Sequence, residues 1–105
     1  MTVDIKSPLF KSPEKTNVAV IDSGNQYLFQ NISLDGRNNG IHSIISDHVI
    51  DFQISRDLLF KGTSSKIESR SDIILNVGGN LTATDRVLIR SKGNVLILSL
   101  IHISE

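Results

Sequence analysis

From Ser65 onward, small or polar residues and apolar residues alternate in short blocks: SKIES, SDIIL, GNLTA, DRVLI and GNVLI. The blocks start at Ser65, Ser71, Gly79, Asp85 and Gly93, with steps of 6, 8, 6 and 8 residues. Three earlier blocks, HSIIS from His42, IDFQI from Ile50 and RDLLF from Arg56, extend the rhythm with steps of 8, 6 and 9. The spacing predicts a repeat of about 14 residues carrying two short strands, running from residue 42 to 97.

Apolar residues at i and i+2 place two side chains on one face of a strand. That parity assigns Ile67, Ile73, Leu75, Val77, Leu81, Val87, Ile89, Val95 and Ile97 to a structural core. Gly, Asn and Asp between the blocks supply turn conformations, most clearly at Gly78-Gly79-Asn80 and Lys92-Gly93-Asn94. No apolar stripe recurs at helical spacing, and breakers come too often for a helix. Regular short strands imply a meander or a solenoid. A meander of such short strands would make a narrow, weak sheet, whereas winding lets each strand pair on both sides. Ile74, Leu88 and Leu96 add apolar residues on the opposite parity, which a sheet with one wet face would not favour. The expectation is an all-β chain whose short-strand repeats form a β-solenoid or an intertwined β-prism. A further layer, either of the same chain or of other copies, would cover the second face.

The first forty residues do not keep the rhythm. Residues 1–16, with Lys-Ser-Pro at Lys6–Pro8 and again at Lys11–Pro13, read as an extended leader, because each proline removes a ladder donor. Residues 17–40 read as a small β-hairpin head and loop: NVAVID and QYLFQNISL are two strands joined by Ser23-Gly24-Asn25, followed by the turn-rich LDGRNNG. Residues 41–97 are the β-repeat region.

Composition narrows the function classes. Lys plus Arg and Asp plus Glu balance at 11 each and no local basic patch stands out; a nucleic-acid binder usually shows a basic face, so no nucleic-acid partner is expected. The absence of cysteine removes disulfide frameworks and thiolate chemistry. No apolar run approaches the length of a membrane span, and MTVDIKSPLF lacks the apolar core of a signal peptide. A chain made in the cytoplasm is therefore expected. With four Phe, one Tyr and no Trp, burial is expected to rest on Ile, Leu and Val.

Candidate chemistry is thin. His42 and His48, flanked by Asp47 and Asp51, are the one set from which a metal site can be drawn, and no third ligand stands at a diagnostic spacing. DGRNNG lacks the Asp-x-Asp-x-Asp-Gly order and distal Glu of a calcium loop. The expectation is no enzyme: no catalytic residues, no cofactor, no metal and no small-molecule substrate.

The blocks Gly79–Ala83, Gly93–Ile97 and Asp72–Leu75, within SSKIESRSDIILNVGGNLTATDRVLIRSKGNVLI, resemble the repetitive β-helical stalks of contractile-tail spike proteins. These are the phage baseplate spikes and the related type VI secretion spikes. The stretch is also similar to filamentous-haemagglutinin-type β-helix repeats, where GGNLTA-like blocks recur. The spike resemblance implies a structural virion component made in the host cytoplasm. It also implies self-association as a homotrimer, or contact with other tail or spike proteins. The adhesin resemblance implies instead an exported cell-surface fragment that binds host or carbohydrate surfaces. The terminal LSLIHISE, Leu98–Glu105, resembles the in-frame translation of a transposon mosaic end used in sequencing libraries. The expectation is a non-native tail on a protein truncated near Ile97.

Overall fold

The structure, a computed structural model, describes residues 10–12, 15–35 and 41–103. Its regular elements are all strands. They are β1 (Phe10–Ser12), β2 (Lys15–Ile21), β3 (Gln26–Phe29), β4 (Ile32–Asp35), β5 (Ser43–Ser46) and β6 (Ile50–Ile54). After these come β7 (Leu58–Lys61), β8 (Ser65–Ser69), β9 (Ile73–Ala83), β10 (Val87–Ser91) and β11 (Val95–Ile103). One chain winds about three turns of a parallel β-solenoid. β2, β5, β8 and β10 stack in register on one side. β3, β6 and the first half of β9 form a second side, and β4, β7 and the second half of β9 form a third. β11 runs along β9 across both of those sides. Each coil is thus closed by the chain itself, which is the solenoid form of the expected fold.

Two expectations need correction. The first is the repeat length. Ala19, Ile44, Ile67 and Ile89 lie in one column, so partners in successive coils are 25, 23 and 22 residues apart. A turn therefore takes three blocks rather than two. The chain turns at three corners in each coil, so a third side lies between the second side and the next strand of the first. The second is the hairpin head. β2 and β3 lie in different sheets, and each pairs in parallel with a strand of the next coil. The segment 17–35 is the first coil of the solenoid. Ser23-Gly24-Asn25 makes a corner in which the Asn25 N–H reaches Ser23 Oγ at 3.4 Å and Ser23 Oγ meets Tyr27 Oη at 2.8 Å. The antiparallel pair that does precede the parallel stack is β1 with β2. The start of the leader, residues 1–9, and most of the LDGRNNG loop, residues 36–40, lie outside the described residues.

Inward positions form columns of like residues, and these columns are the core. Tyr27, Phe52, Leu75 and Ile97 make one column, and Ile32, Leu58 and Leu81 make another. Ile67, Ile73, Leu75, Val77 and Leu81 are buried. Val87, Ile89 and Ile97 are partly buried against the same core. Val95 keeps the inward parity opposite Ile73 but is 44% exposed, because no further coil packs on that side of β11 among the described residues. Aliphatics are not the whole core. Phe52 and Phe60 are the largest fully buried side chains, and Phe29 and Tyr27 set their edges against Phe52 at ring separations of 5.0 and 6.1 Å. Such pairs contribute about 0.5–1.5 kcal/mol each beyond their area.

The corners carry the tightest geometry. β9 passes from the second side to the third through Gly78-Gly79, which lies over Ser55-Arg56 of the coil beside it. A Cβ on Gly78 would stand 2.5 Å from the Ser55 carbonyl oxygen, a backbone atom that cannot swing away. Gly78→Ala should therefore destabilise by about 1–3 kcal/mol, the usual range for overpacking. Gly24→Ala, whose Cβ would meet only ordinary contacts beyond 3.8 Å, should be near neutral. Urea denaturation midpoints of the two variants check this. Along β11 the register with β9 slips between Leu98 and Leu100: Leu98 faces Asn76, and Leu100 faces Asn80. Ser99 alone thus spans what Val77, Gly78 and Gly79 span in β9. The coil register changes where the LSLIHISE segment begins.

Candidate functional site

Stacking places equivalent corner residues directly over one another. Ile21, Ser46, Ser69 and Ser91 end β2, β5, β8 and β10 in one register column. The three serines share one pattern. Each hydroxyl accepts the N–H two residues on, from His48, Ser71 and Gly93, at 2.9 Å in every case. Each also donates to a carbonyl of the adjacent coil. Ser46 reaches Ile21 O at 2.8 Å, Ser69 reaches His48 O at 2.5 Å, and Ser91 bonds Ser71 O. One side chain thus satisfies a turn donor and latches two coils. Removing it loses two hydrogen bonds, each worth about 0.5–1.5 kcal/mol, and leaves a turn donor and a neighbouring-coil carbonyl without that partner. Ser69→Ala should cost about 1–3 kcal/mol in chemical denaturation on that basis.

Amide and carboxylate oxygens also join coils, at the next corner and within the serine corner itself. Asn31 Oδ1 accepts the Asp57 N–H at 3.3 Å, and Asp57 Oδ1 accepts the Asn80 N–H at 2.9 Å. Asp72 Oδ1 accepts the Asn94 N–H at 2.8 Å. The Gly-Asn pairs that suggested turns in the sequence are therefore also coil-to-coil latches.

Just past the serine column stand Asp22, Asp47, Arg70 and Lys92, one per coil and all exposed. Arg70 Nε lies 3.3 Å from Asp47 Oδ1. Beside this row the outward residues Val20, Ile45, Glu68 and Arg90 form a second row, with Arg90 Nη1 3.2 Å from Glu68 Oε2. The two rows line a groove of about 500 Å³ along the side of the stack. On the second side, Gln26, Gln53 and Asn76 chain through Asp51. Asn76 Nδ2 donates to Gln53 Oε1 at 2.8 Å, Gln53 Nε2 to Asp51 Oδ1 at 2.9 Å, and Gln26 Nε2 to Asp51 Oδ2 at 3.5 Å.

The histidines are separated by the fold. His42 Nδ1 lies 2.6 Å from Ser43 Oγ where the chain enters β5, and His48 stands at the serine corner beyond it. Asp51 belongs to the amide chain of the second side. Among the described residues no three His, Asp or Glu side chains meet in an arrangement that could hold a metal ion. Ile74, Leu88 and Leu96 face outward, Ile74 half-buried and the two leucines exposed, and no second layer of this chain covers them among the described residues. No helix of the described residues is long and apolar enough to cross a membrane.

No family matches the chain, and neither a curated protein nor a solved structure matches it. Sequence reasoning missed the serine column and the charged row, since both emerge only once the coil length is known. A signal was present in Ser46-Asp-His-Val-Ile50, Ser69-Arg-Ser-Asp-Ile73 and Ser91-Lys-Gly-Asn-Val95, which share a serine four residues before an inward apolar residue.

Proposed function

We propose that this chain is a structural, non-catalytic segment of a self-associating stalk, of the kind found in phage tails and baseplate spikes. The observation that carries the reading is the coil-to-coil latching. Among the described residues, the corners that follow β2, β5, β8 and β10 and those within β9 are tied to the adjacent coil by serine, asparagine or aspartate hydrogen bonds, around a continuous apolar column. Such a stack is stiff along its axis, because each coil is held by nearest-neighbour contacts repeated at every rung. The resemblance of the Gly-Asn and Asp-Ile blocks to contractile-tail spikes supports the virion setting. Since the chain closes its own coils, assembly into a homotrimer or with other tail proteins would be lateral or end-to-end packing of finished solenoids.

The groove along the charged row favours one alternative, a surface adhesin fragment that holds a host or carbohydrate surface against the side of the solenoid. The genomic setting of the uninterrupted gene separates the two. Neighbours encoding tail or baseplate parts are the expected result. An export signal upstream with secretion genes beside it would overturn the virion reading in favour of the adhesin.

A further inference from the structure

The row Asp22, Asp47, Arg70 and Lys92 runs up one edge of the solenoid in the order acid, acid, base, base. Read in reverse, the order is base, base, acid, acid, so the row is complementary to itself when turned end for end. We propose that this edge, with the groove beside it, is a docking surface for a second copy of the chain lying antiparallel alongside the first. A two-fold axis through the middle of the row would set Asp22 of each copy against Lys92 of the other. The existing Asp47–Arg70 pair would be set against its own counterpart.

Three observations support this occupant and this orientation. Asp47 and Arg70 side chains are 77% and 71% exposed although paired, so both remain open to further partners. Asp22 and Lys92 are exposed at opposite ends of the row. Val20 and Ile45 stand beside the acidic half and the long stems of Glu68 and Arg90 beside the basic half. An antiparallel mate therefore lays aliphatic stems over apolar side chains, as long charged residues commonly do. A parallel trimer meeting through the same edge would instead set Asp22 beside Asp22 and Lys92 beside Lys92, which repels. A two-fold pairing is isologous and closes on itself.

The inference rests on the self-associating part of the stalk reading, and the test separates the two. Sedimentation of the full chain at low salt should show a concentration-dependent dimer that weakens as salt screens the pairs. Lys92→Glu and Asp22→Lys, each of which creates two like-charge contacts per dimer, should each weaken it by about tenfold or more. The double variant Asp22→Lys with Lys92→Glu restores opposite signs and should return the dimer to near its original strength. Circular dichroism melts confirm that each variant folds. Self-association that ignores all three variants overturns this interface and leaves the stalk reading standing. A folded chain that stays monomeric at every concentration and salt tested overturns both the interface and the self-association.

Discussion

Leu75→Asp should abolish the cooperative unfolding transition of the solenoid. Leu75 is 0% exposed and sits in the inward column between Phe52 on one neighbouring coil and Ile97 on the other. A carboxylate there would have Phe52 and Ile97 as its column neighbours, neither of which offers a hydrogen-bond donor from its side chain, and could not reach water without opening a coil. Burying it unpaired costs several kcal/mol. The total stability of a domain is about 5–15 kcal/mol, so the loss is a large share of the whole. In a stack held by nearest-neighbour contacts, a broken middle coil also uncouples those on either side. Thermal unfolding followed by circular dichroism should show a broad or absent transition. Leu28→Ser changes a side chain that is 73% exposed on the outward parity, and should melt within a shift equivalent to about 0.5 kcal/mol of the parent.

Phe52→Ala should be the most costly truncation. Phe52 is fully buried and receives the edges of both Tyr27 and Phe29. Removing its ring loses its transfer free energy and leaves a void that the neighbouring strands, fixed by ladder bonds on both sides, cannot close. Phe→Ala changes in such sites cost about 3–5 kcal/mol. Phe60→Leu, at the equally buried position on β7, keeps most of the volume and should cost distinctly less. Guanidinium denaturation of the two variants gives the comparison directly.

The parity of the strands was legible in the sequence, because alternation is a local property. The inward assignment of Ile67, Ile73, Leu75, Val77 and Leu81 needed only neighbours two residues away. Coil length was not legible, because it depends on contacts 22 to 25 residues apart. Short and long steps can be grouped in twos or threes with equal ease until the stacking partners are known. The first coil was misread for a related reason. Ser23-Gly24-Asn25 has the chemistry of a hairpin turn, and only the parallel partners of β2 and β3 in the next coil show that it turns a corner. The candidate site suffered most. Ser46, Ser69 and Ser91 look like ordinary polar residues in a serine-rich chain, and Asp22, Asp47, Arg70 and Lys92 look like scattered charges. Both sets acquire meaning only when stacked.

The central claim is that one chain winds every coil, and the absence of cysteine allows a clean test. Leu59 and Thr82 are register partners on β7 and β9, outward on the side away from the charged row. Neighbouring strands bring such partners within the Cα separation of about 4.4–6.8 Å that a disulfide spans. The double variant Leu59→Cys with Thr82→Cys, oxidised and run on a non-reducing denaturing gel, should give a single crosslinked band at the mass of one chain. A ladder of covalently joined chains in place of that band would show that neighbouring coils come from different copies, and would contradict the solenoid described here.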